Sequence, residues 1–243
     1  MIDPTHDELV LYDEISELGD KTWNISANIE GLKTDPKMYS IMLFKRLCTN
    51  QRGYTALWKL GLNLEANIVL RSAVETAICI AANFKIREEF VLLMRRDATF
   101  TVARQIIMHR ESGDQNLVRE GESTLRFLQS KLPDGAKPAK LDWRDLSEKG
   151  DVAELYVYHR MLSSVSSHVT GLSILRGVSN ERLDAGQAEI RDLERKMHLM
   201  MMAGALLQGI RYHSVMIEAY EGLKAAEAFT DRLADISMKW TWA

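Results

Sequence analysis

Apolar residues recur at i, i+3 and i+4 along almost the whole chain, while two-residue alternation, Asn-Gly turns and β-branched runs are nearly missing. This pattern predicts helices throughout. A first helix is expected from about Asp7 to Ile29, with Leu9, Tyr12, Ile15 and Leu18 along one stripe. Thr34-Asp35-Pro36 reads as an N-cap with proline at the first helical position, opening a second helix that ends near Leu60. Gly61-Leu62-Asn63 breaks the chain before a third helix over roughly Leu64 to Phe84. A fourth runs from about Arg87 to Glu111 and stops at Ser112-Gly113-Asp114, and a fifth covers about Gln115 to Leu132. The stretch from Pro133 to Lys140 is the one clear loop and holds two of the four prolines. A short helix around Asp142 to Lys149 follows, then one from Val152 to about Val169. The last third, Gly186 to Trp240, reads as one long helix or two, with breaks expected near Gly209 and Gly222. No repeat of roughly 20–50 residues is present, which argues against a solenoid. The expected fold is all-α, an irregular multi-helix bundle of about seven to nine helices. It is read as a single domain over residues 1–243, with the 133–141 loop as the one place where it could subdivide.

Composition narrows the functional classes. The 243 residues are 46% hydrophobic and 27% charged, enough apolar surface for a core and too little bias for disorder or low complexity. A net charge of −3 supplies no global positive field for nucleic acid or anionic lipid. Cys48 and Cys79 form no paired spacing, which excludes a disulfide framework and a cysteine-rich zinc site and fits a reducing, cytoplasmic setting. The N-terminus lacks the apolar stretch of a signal peptide. Ala66 to Phe84 is almost continuously apolar but carries Arg71 and Glu75 near its middle. Each charge would cost ~2.5–3.5 kcal/mol at a bilayer centre, so a buried helix is expected there and no membrane partner. Zincin, EF-hand, P-loop, dinucleotide and nucleophile-elbow signatures are all missing, so no metal and no cofactor is expected. A dispersed metal site of His159, His198 and His213 is the one metal reading left open, and no ligand-spaced partners support it.

Two polar lines stand out within apolar helices. Asn63, Asn67, Arg71 and Glu75 advance by four along one face of the third helix, with Ile68, Val69, Leu70, Val74, Ile78 and Ile80 in the other directions. Charges in so apolar a helix need partners, either as a structural ion pair or as the wall of a polar pocket. Arg160, Ser164 and His168 form the second line, flanked by Tyr156, Ser163 and Ser167. Small hydroxyl residues there equally allow close helix approach. The stretch Lys85 to Arg110 carries a local excess of positive charge that could lie along RNA or simply face water. Met197, Met200, Met201 and Met202 read as core or interface filler, and Trp240 and Trp242 as a tail that docks.

The segments Asn67 to Ala77 and Tyr158 to His168 resemble a large bacterial all-helical family of unknown function. Its pattern is Arg-x-x-x-Glu in an early apolar helix, then a tryptophan-led helix, then Tyr, Arg, Ser and a closing His. Trp143, Asp145, Leu146 and Gly150 look like the intervening stretch, so the likeness covers roughly Leu62 to Leu172; Val169 stands where the family often has proline. Some members are suspected in antiviral or toxin-type systems. More distantly, the chain is similar to the HEPN group of helical, metal-independent ribonucleases, whose pattern is Arg, four to six residues, then His, commonly in a cleft shared by two chains. Arg104 to His109 and Arg191 to His198 fit that spacing, and Arg160 to His168 is one residue too long. Matches at this rate are what chance gives, so context decides and favours Arg160 and His168 among the hydroxyls.

Two functions follow. In the first, the protein is a HEPN-like metal-independent ribonuclease, a toxin or antiviral effector, with His168 as acid/base and Arg160 as phosphate stabiliser. Arg71 and Glu75 orient the site, and Tyr156, Ser164, Ser167 and Asn67 contact substrate. RNA, a second copy of the chain and another protein of the same system are the expected partners. In the second, Arg71, Glu75, Arg160 and His168 are a structural network inside a non-catalytic dimerisation or protein-interaction module. A small-molecule pocket lined by Asn63, Asn67, Arg71 and Glu75 is a third reading. All three require the two polar lines to face each other.

Overall fold

The computed structural model describes residues 4–29, 35–166 and 185–239. Among the described residues there are eight helices and no strand: α1 (His6–Ala27), α2 (Asp35–Lys59), α3 (Asn63–Glu111), α4 (Gln115–Gln129), α5 (Trp143–Lys149), α6 (Ala153–Ser166), α7 (Ala185–Met216) and α8 (Tyr220–Met238). The all-α bundle expected from periodicity is therefore the fold. No described helix is long and apolar enough to cross a membrane.

Local chemistry explains the helix ends. Thr5 caps α1: its hydroxyl accepts from the Glu8 amide while the Glu8 carboxylate accepts from the Thr5 amide at 2.7 Å, a reciprocal capping box. Asp142 caps α5 by accepting from the amides of Arg144 and Asp145. Gly61 and Gly113 take positive φ after α2 and α3, where an L side chain would be strained. Thr34, the expected cap of α2, lies outside the described residues.

Two of the expected breaks are present and one is not. The break expected between the third and fourth helices falls at Arg87, whose backbone (φ 43°, ψ −110°) is non-helical, so α3 is two helical segments joined across a kink. The last third divides over residues 217–219, with Glu218 at φ 63°, near Gly222 as expected, and runs unbroken through Gly209. Gly209 serves contact: a Cβ there would fall 2.1 Å from a Leu47 methyl, so the missing side chain lets α7 close on α2.

α3 is the central element and packs against α2, α4, α5, α6 and α7. The core is built from Leu11 and Ile15 of α1, Phe44 and Leu47 of α2, Leu70, Val74 and Ile78 of α3, and Met202, Leu206 and Ile210 of α7, all fully buried. Met200, Met201 and Met202 are buried filler in that core. The α5–α6 corner sits on α3 through Gly150, where a Cβ would meet the Ala82 backbone nitrogen at 3.0 Å. The 133–142 loop is fastened to the part of α3 beyond the kink. The Ala139 amide donates to the Arg96 carbonyl, Arg96 donates to the Lys137 carbonyl, and the Leu141 amide donates to Asp97 at 2.9 Å. These bonds carry Lys140 and Trp143 to the edge of α6.

Candidate functional site

Val152, just before α6, and Leu155 and Leu162 within it form a buried stripe, and His159 lies on that same stripe, facing α3. Glu75 is the residue it meets: His159 Nε2 and Glu75 Oε1 are 3.1 Å apart. The same oxygen accepts from Arg71 Nε at 3.1 Å, so one carboxylate oxygen joins a guanidinium and an imidazole. Arg71 and Glu75 keep about a quarter of their side-chain surface (26% and 22%), whereas His159 is nearly enclosed at 7%.

A carboxylate can only accept, so Nε2 is the protonated nitrogen of neutral His159 and Nδ1 carries the lone pair. Nδ1 is shielded from solvent and has no hydrogen-bond partner among the described residues. Burial pushes the His159 pKa below the usual histidine range; the Glu75 charge and hydrogen bond oppose that shift, and Arg71 and Arg160 add to it. The imidazole is thus neutral, held at one end and unpaired at the other. Such an unsatisfied buried acceptor costs ~1–3 kcal/mol and calls for an explanation.

An open pocket of about 570 Å³ adjoins this imidazole, between the start of α5 and the outer face of α6. Trp143 and Tyr156 line it and flank His159, with ring centroids 5.7 and 5.9 Å from the imidazole. Lys140, Arg144 and Arg160 also line it, against one acid, Asp142, already engaged in capping α5. Lys140 and Arg160 have no carboxylate partner among the described residues, while Arg144 donates to Glu148 at 2.9 Å. Ser163 and Ser164 complete the lining, each donating to a carbonyl of its own helix.

The structure thus sorts the expected site residues. Arg71 and Glu75 meet α6, but through His159, not through the Arg160 line. Arg160 and Ser164 point to solvent at the pocket rim, Tyr156 lines the pocket, and Asn67 is buried on α3 outside the pocket lining. Ser167 and His168 lie outside the described residues, as do Trp240 and Trp242. His159 was the residue missed, and its signal was a polar side chain on the apolar stripe Val152, Leu155, Leu162.

The remaining candidates take other places. His213 is fully buried between Ser26, bonded to Nε2 at 2.7 Å, and Ser40, bonded to Nδ1 at 2.8 Å. No group of three His, Cys, Asp or Glu side chains is placed to hold a metal among the described residues. In the basic stretch of α3, Lys85, Arg95 and Arg110 are engaged by Asp151, Asp35 and Glu122. In comparisons with known proteins, the chain matches no family model, no curated protein and no solved structure.

Proposed function

We propose that this protein cleaves RNA without a metal ion, with His159 as the acid/base group and the pocket between α5 and α6 as the substrate site. The observation that carries this reading is the carboxylate-held imidazole with an unpartnered Nδ1 beside a cation-lined, aromatic pocket. Cations recognise phosphate and aromatic faces stack bases, which together select a single-stranded nucleic acid. RNA is the substrate because its 2′-hydroxyl lies beside the phosphorus and needs only a base, which Nδ1 supplies.

A nucleotide that parts the Trp143 and Tyr156 rings uncovers Nδ1. Nδ1 takes the 2′-hydroxyl proton, and the 2′-oxygen attacks the adjacent phosphorus. Arg160 and Lys140 balance the charge that builds on the phosphoryl oxygens. The P–O5′ bond breaks, the 5′-oxygen takes a proton from a water molecule and that water takes the Nδ1 proton, which restores the neutral imidazole and leaves a 2′,3′-cyclic phosphate and a 5′-hydroxyl. Glu75 steadies the imidazolium, and Arg71 fixes Glu75. The likeness to helical ribonucleases adds a cytoplasmic homodimer, a toxin or antiviral effector, as the working form.

The test is digestion of single-stranded RNA in EDTA, with the product ends identified. Cyclic phosphate ends are expected from wild type and not from His159→Ala. Unchanged cleavage by His159→Ala overturns the assignment, and loss in His168→Ala alone transfers the acid/base role to His168. The competing reading, a non-catalytic interaction module, draws on the way Arg71, Glu75 and His159 tie α3 to α6. It is favoured if no condition yields cleavage while Arg71→Ala sharply lowers the melting temperature.

A further inference from the structure

The face of α3 that holds Glu75 receives a second set of polar side chains one turn earlier, from the opposite side. Ser72 precedes Glu75 by three residues, so the two lie on neighbouring positions of one helix face, separated by ~4.5 Å along the axis. α6 reaches Glu75 through His159, and α2 reaches Ser72. Arg46 Nη2 and Asn50 Nδ2 each donate to the Ser72 hydroxyl oxygen, both at 3.2 Å. The buried thiol of Cys79, one turn beyond Glu75, lies within reach of the charges of both Glu75 and Arg46.

This cluster is rich in donors and poor in acceptors. Arg46 is exposed and has no carboxylate partner among the described residues. Its guanidinium and the Asn50 amide share one neutral oxygen, and the Ser72 proton has no acceptor among the described residues. An oxyanion accepts from all three, which a serine oxygen alone does not, and a guanidinium matches phosphate geometry in particular.

We infer that Arg46, Asn50 and Ser72 form a second phosphate subsite, which holds a phosphate of the same RNA strand next to the one cleaved at His159. The strand crosses α3 between α2 and α6, with Arg46 on one wall and Arg160 on the other. This inference rests on the nuclease reading for its ligand and needs no cleavage for its test.

The probe is a short fluorescein-labelled 2′-O-methyl oligouridine, which lacks the reacting hydroxyl; its binding is followed by anisotropy over a series of salt concentrations. Arg46→Ala is expected to weaken Kd about tenfold and to lower the slope of log K against log salt by about 0.7, the loss of one phosphate contact on a single strand. Asn50→Ala weakens binding without changing the slope, and Arg46→Lys restores the slope. Arg119→Ala, which removes an exposed charge from α4, leaves both quantities as in wild type. Melting curves identify any variant whose fold is impaired, and Arg46→Lys and Asn50→Ala then carry the test. Equal binding by wild type, Arg46→Ala and Asn50→Ala overturns the subsite, as does an equal loss in Arg119→Ala or no binding by wild type. The EDTA digestion separates the two claims. Arg46-dependent binding without cleavage retains the subsite and ends the nuclease, while cleavage with Arg46-independent binding does the reverse.

Discussion

Two enclosed histidines of this protein are satisfied in opposite ways. His213 has a hydroxyl on each nitrogen, Ser26 and Ser40, and the Phe44 ring stacked on it at 4.3 Å. No charged group among the described residues shifts it, and burial pushes its pKa down to about 3. His159 has a carboxylate on one nitrogen and, among the described residues, nothing on the other, and a cation-lined pocket beside it. The first fills a core as a polar wedge between α1, α2 and α7. The second keeps an unmet bonding capacity next to open space. Burial therefore does not separate these two histidines, whereas the count of satisfied nitrogens does.

The largest difference should appear in cleavage. His159→Ala is expected to lower EDTA-resistant RNA cleavage by ~10²–10⁴-fold per folded molecule, the usual share of a general acid/base, while its melting temperature falls less than that of His213→Ala because one ring nitrogen already lacks a partner among the described residues. His213→Ala should reverse the pattern, with cleavage per folded molecule unchanged. Removing the ring opens a cavity, orphans the Ser40 hydroxyl and leaves Ser26 only its bond to the Thr22 carbonyl, at a cost of about 3 kcal/mol. In a chain of this size that lowers the melting temperature by roughly 6–12 °C, measurable by calorimetry. If the two variants lose stability and activity in equal proportion, the distinction between the histidines is void.

A smaller effect follows from protonation. The folded-state pKa of His213 lies below its ordinary value near 6.5, so the folded protein binds fewer protons than the unfolded chain between those limits. Stability from this group is intact above about pH 6.5 and is lost as pH falls toward 3. At pH 5 the loss amounts to about 2 kcal/mol. Urea unfolding at pH 7 and pH 5 measures it, and His213→Phe should flatten the difference. A pH dependence identical in that variant would assign the effect to other groups.

The sequence was most legible where periodicity ruled and least where three-dimensional contact decided. Helix type and most boundaries followed from apolar spacing and caps, as with Asp142 at α5 and Gly61 after α2. Gly209 ends no helix because glycine serves close approach as readily as it breaks one, and only the neighbour, Leu47, tells which. Arg71 and Glu75 were visible as charges in an apolar helix. His159 was not singled out, because a line drawn every four residues follows Arg160, Ser164 and His168, one position around the helix from the face that α3 covers. Amphipathic phase, read from Val152, Leu155 and Leu162, would have put His159 on the inner side.

The smallest effect tests the electrostatics of His159 directly and needs no assumption about activity. Its pKa is set by burial pushing down, Glu75 pushing up, and Arg71 and Arg160 pushing down. Glu75→Gln removes the single opposing charge, so the imidazole should titrate at still lower pH than in wild type. Arg71→Ala removes a cation and frees Glu75 from competition, so titration should move upward, by less than the Glu75 variant moves it down because Glu75 supplies both a charge and a hydrogen bond. NMR titration of the His159 ring reads both shifts, with His213 as the internal reference that neither variant touches. Shifts of the same sign would mean that the variants act by rearranging α3 against α6. Opposite signs at His159 with a still His213 leave the carboxylate–imidazole pair as an electrostatic unit set apart from the core.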